Sequence, residues 1–444
     1  MTMNKFLFAL LAYVFWITKA ALALNIPVTE YTLDNGLRIV VIEDHRAPLV
    51  LNAVVYTVGG ADESPGKTGL AHFFEHLMFK GTTKYPQDSF DRLMDESGAE
   101  RNAFTSLDTT VYYERADVAL LEKLIDLEAD RMQNLVLTDG VLNTERKVVQ
   151  EERRLRTDSD PAGGAFEKVS AMLFKVHPYG RPIVGWPEDV ATLTLDDAMT
   201  FYRAHYMPSK AILLVVGDVL PADVHKLALK YFGPLKNPPA TAAVQRPDEP
   251  RHNKAERLEL EDARISDPIF SRTYNTGPNR IITAREAAAY SVLSSILGAN
   301  SQSRLVQQLV TRSLTASEAG ANFGGSTDDF GLFRIYATPR SGVDVLDLEK
   351  RIDAILQDIR VNGISADELQ NAKNTSEAKD IYMRDNPVGF GIAVAGVIAS
   401  GHKTSYVDDV HAAVLQLTTE DIRKAALRAL DPLQSVTLLL RPKR

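Results

Sequence analysis

The sequence predicts an α+β fold of two similar domains in which β-sheets pack against helices. Segments rich in β-branched residues are mixed with long helix-forming segments, a pattern that favours layers of sheet and helix. A proline-rich polar segment near the middle divides the chain into two halves, each of which begins with strands and ends with a strand. The length of 444 residues also exceeds what one hydrophobic core normally holds, so at least two domains are expected.

Residues 1–23 are predicted to be a signal peptide. Lys5 supplies a positive charge, Phe6–Ile17 is apolar and uncharged, and Ala21–Ala23 matches the A-x-A cleavage pattern. This apolar stretch is shorter than the roughly 20 residues that span a bilayer, although an uncleaved membrane anchor is the alternative interpretation. We expect cleavage after Ala23, export to a bacterial periplasm and no stable membrane span in the mature chain. The chain has no cysteine, so it needs no disulfide in that compartment.

The N-terminal domain is predicted to cover residues 24–233. Its strands are expected at Leu37–Glu43, Leu49–Val58, Asp108–Glu114 and Ala211–Val216, where β-branched and aromatic residues are concentrated. Two helices carry the residues discussed below, one soon after the second strand and one from Leu142 onward.

Residues 234–258 are predicted to be an exposed linker, and residues 259–444 a C-terminal domain that repeats the first. The linker has polar residues around five prolines, namely Pro234, Pro238, Pro239, Pro247 and Pro250. The second domain opens with a strand at Ile265–Tyr274 and a helix at Ala284–Leu297, and it closes with a strand at Ser435–Leu440. The repetition indicates that the halves are distant copies of one domain.

The segment His72-Phe73-Phe74-Glu75-His76 carries the pattern H-x-x-E-H, the inverzincin motif. Residues four apart lie on one face of a helix, so His72 and His76 can bind a single zinc ion. Glu75 lies on the same side, where it can activate a water bound to that ion. The motif predicts a zinc peptidase. The alternative is an amphipathic helix with two partly buried histidines and a surface glutamate.

A catalytic zinc needs a third protein ligand, and the helix from Leu142 to Leu155 offers candidates. Glu145 and Glu152 are seven residues apart, so two helical turns bring them to the same face. Glu151 points about 100° away from Glu152 and is the weaker candidate. The alternative interpretation is a solvated charged face with pairs four residues apart.

These motifs resemble the pitrilysin family of zinc peptidases, which includes mitochondrial processing peptidase and insulin-degrading enzyme. The resemblance covers Gly69–Thr82 and Glu145–Glu152, and Glu152 follows His76 by 76 residues, the family's spacing. It implies two similar domains of mixed sheet packed with helices, facing each other across a peptide-binding cleft. It also implies one Zn²⁺ per chain with a defined set of roles. The zinc ligands would be His72, His76 and Glu152. Glu75 would be the general base, and Glu145 would orient the site.

The run Asn102-Ala103-Phe104-Thr105 has the pattern Asn-Ala-x-Thr and resembles the family's edge strand, which holds substrate by adding it as a further β-strand. Asn102, Ala103 and Phe104 are therefore predicted to bind the peptide substrate. Backbone pairing depends little on sequence, so it suits extended or unfolded peptides. The alternative is an ordinary hairpin edge.

One feature of the family is missing. Active relatives carry an Arg followed seven residues later by a Tyr in the C-terminal domain, and these positions fall here on Val310 and Ser317. No Arg has a Tyr seven residues after it anywhere beyond the linker. We hypothesise that the chain is the zinc-bearing subunit of a heterodimer whose homologous partner supplies the pair, an arrangement favoured over a homodimer. The alternative is another donor from the second half, among Arg304, Arg312, Arg334 and Tyr336.

Composition excludes some functions. The net charge is −8, and it becomes more negative without Lys5 and Lys19, which argues against nucleic acid as a partner. The absence of cysteine excludes a thiol nucleophile. Two alternatives to a general zinc endopeptidase stay open: a non-catalytic peptide-binding or assembly protein with a peptidase fold, and a processing enzyme with narrow specificity.

Overall fold

The structure is a computed structural model, and it describes residues 27–239, 246–279, 282–325 and 328–443. The predicted signal peptide, residues 1–23, lies outside the described residues. Within the described part of the chain, no helix combines the length and the apolar character needed to cross a membrane.

The N-terminal half is built on a six-stranded mixed sheet. Its strands lie in the spatial order β1-β2-β6-β3-β5-β4, with β2 parallel to β6 and every other neighbouring pair antiparallel. The strands are β1 Val28–Thr32, β2 Arg38–Glu43, β3 Leu49–Tyr56, β4 Glu100–Thr105, β5 Thr110–Asp117 and β6 Ala211–Gly217. The strands predicted for this half are therefore present, with ends shifted by three residues or fewer.

Eight helices of the described chain belong to this half. They are α1 Leu70–Leu77, α2 Gln87–Ser97, α3 Leu121–Asn134, α4 Asp139–Arg153, α5 Pro161–Leu173, α6 Pro187–Thr192, α7 Leu195–His205 and α8 Pro221–Tyr231. A π-helical turn, Arg154–Asp158, continues α4.

The C-terminal half is built on a five-stranded mixed sheet in the order β7-β11-β8-β10-β9. The strands are β7 Glu256–Asp262, β8 Ile269–Pro278, β9 Ala316–Gly324, β10 Phe330–Pro339 and β11 Ser435–Pro442. Strand β7 begins inside the segment predicted as the linker. The helices are α9 Ala284–Gly298, α10 Val345–Asn362, α11 Ala366–Asp385, α12 Pro387–Ala399, α13 Tyr406–Gln416 and α14 Thr419–Ala429, with a π-helical turn at Val306–Arg312.

The two sheets share one topology. The order β7-β11-β8-β10-β9 reproduces β2-β6-β3-β5-β4, and in both sheets the first two strands of this series are parallel. Strand β1 is an addition at one edge of the N-terminal sheet. Two similar domains of mixed sheet packed with helices were predicted, and the structure confirms them.

Each half packs one of its helices on the sheet of the other half. Helix α12 of the C-terminal half packs its Phe390, Val394 and Ile398 on the N-terminal sheet, against residues such as Val40 and Leu214. Helix α5 of the N-terminal half packs on the opposite sheet in turn, and its buried residues there are Ala165, Val169 and Leu173. Each sheet therefore has one face covered by its own helices and one face covered by a helix of the other half.

The later part of the predicted linker, from Arg246 onward, is fixed to both halves. Arg246 lies 2.8 Å from Asp62 and 2.6 Å from Asp108 of the first half, and 2.9 Å from Asp329 of the second. Glu249 accepts hydrogen bonds from the backbone of residues 175–177. This part of the segment is largely exposed but is anchored to both halves by side-chain contacts, and we call it the strap.

Candidate metal centre and active site

Helix α1 carries the H-x-x-E-H motif and is fixed at its start by a buried carboxylate. Its N-cap, Gly69, has φ of 90° and offers no side chain, so Glu63 accepts hydrogen bonds from the backbone N–H groups of Gly69 and Ala71, both at 2.8 Å. Phe73 and Phe74 on one face of the helix are completely buried in the core. The histidines are therefore held in a fixed orientation at the cleft described below, with His72 buried and His76 half-buried.

Helix α4 supplies the carboxylates. Thr138 caps its first turn by accepting from the backbone of Val141, and Leu142 and Val149 are buried in the core that also holds α1. Glu145 and Glu152, two turns apart, consequently face the histidine side of α1.

Three side chains converge at one point between these helices. One carboxylate oxygen of Glu152 lies 3.2 Å from Nε2 of His76 and 3.6 Å from Nε2 of His72. Ligand atoms of the three residues all lie within 4.8 Å of one another. Donors about 2.0–2.2 Å from a tetrahedral zinc are separated by roughly 3.3–3.6 Å. Two imidazoles and one carboxylate at these separations fit a catalytic zinc with an open fourth position.

Glu145 orients one of the imidazoles. Its Oε1 lies 2.9 Å from Nδ1 of His76, and its Oε2 lies 2.5 Å from Nζ of Lys80. Burial raises the pKa of Glu145, but the contacts with His76 and Lys80 outweigh it and the net pKa is lowered. An ionised Glu145 accepts from Nδ1, which leaves Nε2 of His76 facing the cluster.

The pKa values of the two histidines are shifted in opposite directions. Burial and the neighbouring His76 lower the pKa of His72 to about 4, which favours the neutral imidazole that binds metals. Burial also lowers the pKa of His76, but the hydrogen bond to Glu145 and the nearby carboxylates outweigh it, and the net pKa is raised.

Glu75 lies beside the cluster and is held by the edge strand. The hydroxyl of Thr105 donates to its Oε2 at 2.6 Å. Burial raises the pKa of Glu75, which is the direction expected of a carboxylate that exchanges protons near neutral pH. Its position next to two metal-binding imidazoles suits a general base.

A cleft of about 1070 Å³ opens onto the cluster. Asn102, Ala103 and Phe104 line it together with the cluster residues. Among the described strands, β4 pairs only with β5, so its other edge is free. The backbone N–H of Ala103 donates to the side chain of Asn102 at 2.8 Å, outside the ladder with β5. An added peptide strand could take that donor, so the edge is suited to strand addition.

Three partners of the cluster were not identified from the sequence. Arg156 lies in the π-helical turn after α4, and its Nη1 is 2.5 Å from Oε1 of Glu152. The spacing of four residues was a usable signal for this pair. Thr105 and Lys80 had no such signal, because their contacts join residues that are distant along the chain.

The second half brings none of the candidate donors to the described cleft. Arg304 is paired with Glu368 at 2.5 Å, and Arg334 stacks on Phe166 at 3.9 Å. Arg312 and Tyr336 are likewise absent from the described residues that line the cleft. Val310 lies in the π-helical turn of the second half and Ser317 on β9, the edge strand of that sheet.

Comparison with known proteins agrees with this architecture. A family profile described as "Insulinase (Peptidase family M16)" matches residues 38–186, and one described as "Peptidase M16 inactive domain" matches residues 192–376. The chain is 30% identical over 417 residues to "Zinc protease PqqE" of Helicobacter pylori, covering 93% of this chain and 92% of that protein.

Two further relatives extend the comparison. The "Mitochondrial-processing peptidase subunit beta" of Lentinula edodes is 26% identical over 425 residues, covering 91% of this chain and 88% of that protein. The crystal structure of a protease from Helicobacter pylori has a TM-score of 0.87 and 29% identity, covering 94% of this chain and 100% of that one. The protein therefore belongs to the insulinase family of peptidases, family M16, as its resemblance to the pitrilysin family predicted.

Proposed function

We propose that the protein is a zinc-dependent endopeptidase that hydrolyses extended peptides or unfolded segments. The observation that carries this proposal is the convergence of His72, His76 and Glu152 beside Glu75, at the floor of a cleft bordered by a free strand edge. Membership in a family of peptidases supports the same reaction class.

Each residue of the site has its own role in the proposed reaction. A zinc ion bound by His72, His76 and Glu152 would polarise the scissile carbonyl and lower the pKa of a bound water. Glu75 accepts the proton of the attacking water and returns it to the leaving amine. Glu145 holds the imidazole of His76, as its 2.9 Å contact supports. The free edge of β4 holds the peptide by its backbone, so Asn102, Ala103 and Phe104 select an extended conformation rather than one sequence.

The second part of the proposal concerns a partner. The described cleft has no Arg or Tyr from the C-terminal half, so a donor for the developing oxyanion is missing on that side. Loss of one such donor in other enzymes costs about 10²–10³ in rate. We propose a homologous partner subunit that supplies an Arg/Tyr pair to this cleft. The relative named as a subunit beta supports an assembly of this kind.

A non-catalytic peptide-binding role is the second candidate. It is favoured by the same missing donors and by the match of residues 192–376 to a domain described as inactive. The intact cluster of His72, Glu75, His76 and Glu152 argues against it. For either role we propose export to a bacterial periplasm, on the strength of the signal-like residues 1–23.

The test is peptide hydrolysis by the purified, zinc-loaded mature chain alone, with Glu75→Gln as the inactive control. Hydrolysis that vanishes in the variant would support a peptidase that needs no partner, and it would overturn the heterodimer. Stoichiometric zinc without hydrolysis would favour the missing subunit, and restoration by a homologous chain carrying the Arg/Tyr pair would establish it. Failure to bind zinc at all would contradict the proposed metal centre.

A matched pair of variants separates the ligand from its neighbour on the same helix. Glu152→Gln should abolish zinc binding. Glu151→Gln should not, because Glu151 is exposed and pairs with Arg154 at 2.6 Å.

A further inference from the structure

A second cavity, of about 470 Å³, lies between the two halves, and we call it the rear cavity. Its volume is in the range of about 300–1,000 Å³ typical of ligand pockets. Most of the side chains around it are apolar, and they come from both halves. Those used below are Val55 and Val111 from the first sheet, Phe104 from its edge strand, and Ile392 and Gly396 from α12.

The rear cavity opens on the sheet face opposite to the metal cluster. Val55 and Val111 pack in the cluster of residues under α12, whereas Val54 and Tyr112, their neighbours in sequence, pack in the core that holds α1. Successive residues of a strand point to opposite faces. The rear cavity and the metal cluster are therefore separated by the thickness of one sheet.

Phe104 lies between the cleft at the metal cluster and the rear cavity. It lines both the cleft at the metal cluster and the rear cavity, and 39% of it is exposed although it is a large aromatic residue. It lies opposite Val111 in the ladder between β4 and β5, so it shares the rear face. Thr105, its neighbour, faces the other way and bonds to Glu75.

A peptide added to the free edge of β4 continues this pleat. A peptide residue placed opposite Thr105 points its side chain toward the metal cluster, and the next residue, opposite Phe104, points toward the rear face. We infer that the rear cavity is a specificity site that binds a large apolar side chain of the peptide, one residue along from the residue at the metal cluster. The inference rests on the proposed function and adds the substrate preference that backbone pairing alone lacks.

The size of the preference for a large apolar side chain follows from the apolar area that the rear cavity would bury. Burial of a Leu, Phe or Met side chain at such a site should favour its peptide over an Ala-containing peptide by about 10- to 100-fold in kcat/KM. Peptides that differ in one position around the scissile bond, Phe against Ala, would measure this ratio position by position. The Phe/Ala ratio should be large at one peptide position and small at the others.

Gly396 offers a clean test. A Cβ atom built on Gly396 meets no heavy atom within 4 Å, so a side chain there extends into open space without moving the backbone. Gly396→Leu should fill part of the rear cavity and reduce the Phe/Ala ratio at least 5-fold, while cleavage of the Ala peptide stays within 2-fold. Gly396→Ala is the matched control and should change the ratio little. An unchanged melting temperature would show that both variants are folded.

Two outcomes would overturn the inference. One is an unchanged Phe/Ala ratio in Gly396→Leu. The other is an equal loss of both peptides, since filling a selective cavity cannot penalise a side chain too small to enter it.

Binding separates this inference from the proposed function. If the wild-type chain hydrolyses neither peptide, calorimetric titration of zinc-loaded Glu75→Gln with the same peptides measures the preference without turnover. A Phe/Ala preference in affinity that Gly396→Leu removes would support the rear cavity even with no peptidase activity. Equal affinities for the Phe and Ala peptides would overturn it.

Discussion

The two halves share a sheet topology, but among the described residues only the first half brings together a group of side chains that could hold a metal ion. Helix α1 follows β3 in the first half, and α9 follows β8, the corresponding strand, in the second. Helix α1 buries one face and turns His76 and Glu75 into an open cleft. Helix α9 packs between strand β9 and the helices α13 and α14, and its buried residues are all apolar or aromatic.

The difference shows that the scaffold does not by itself create the site. In the first half, α4 runs beside the uncovered side of α1 and adds Glu145 and Glu152. In the second half, α9 contributes to a hydrophobic core, where its Tyr290, Leu293 and Leu297 are almost completely buried. The two helices therefore differ in the side chains that they carry rather than in the extent of their burial.

The largest expected effect comes from removing the feature that distinguishes the halves. His76→Ala deletes one of three ligands and should abolish stoichiometric zinc binding together with any hydrolysis. Metal content after dialysis and a competition titration with a chromophoric chelator would measure it. Tight zinc binding by His76→Ala would show that the cluster is not the metal site.

The second prediction concerns what holds the halves together. Arg246→Met should destabilise the fold by about 3–5 kcal/mol, because it removes the guanidinium that lies beside the buried carboxylates of Asp108 and Asp329. Urea denaturation at pH 7 would measure the loss. A change below about 1 kcal/mol would mean that the strap does not join the halves.

The pH dependence of that loss has a definite sign. Burial raises the pKa of Asp329, but His177 and Arg246 outweigh it and lower the pKa to about 2. A carboxyl with a depressed folded pKa contributes stability that is present above its unfolded value near 4 and is lost as the pH falls through about 2. The difference in stability between wild type and Arg246→Met should therefore be widest at neutral pH and narrow in acid, as protonation of Asp108, whose pKa burial raises, and then of Asp329 removes the charges that face Arg246.

A smaller effect is expected at the residue that supports a ligand. Glu145→Gln keeps the shape of the side chain but weakens its hold on Nδ1 of His76, and should lower zinc affinity about 10- to 100-fold. The same competition titration would measure it. Glu151→Gln on the same helix is the control, and an equal effect of the two variants would contradict an orienting role for Glu145.

The smallest prediction compares two glycines of the exchanged helix α12. A Cβ on Gly391 would come within 2.7 Å of Val216, so Gly391→Ala should cost about 1–2 kcal/mol through overpacking against the N-terminal sheet. Gly396→Ala has open space and should be neutral or stabilising by up to about 1 kcal/mol. Thermal unfolding of both variants would measure the difference. Equal effects would contradict the close contact between α12 and the first sheet.

Much of the candidate site could be predicted from the sequence because its parts are local. The spacing of His72, Glu75 and His76 on one helix depends only on helical periodicity, and so does the spacing of Glu145 and Glu152. The repeated order of strands and helices likewise indicated two similar domains, because hydrophobic patterning is a property of short segments.

Other features depended on residues that are distant in sequence. The approach of α4 to α1, the bond from Thr105 to Glu75 and the exchange of α5 and α12 between sheets are contacts that no local pattern encodes. Composition predicted an exposed linker over residues 234–258. It did not predict that Arg246 contacts three carboxylates from the two halves, or that β7 begins inside this segment.

The sequence by itself determined which side chains share a helical face, because a helix repeats every 3.6 residues wherever it forms. Only the tertiary structure decided that the faces of α1 and α4 meet and that the edge of β4 stays free beside them. Burial of the apolar faces of these elements fixes their arrangement, and the side chains of the candidate metal centre lie in the gap that this packing leaves open.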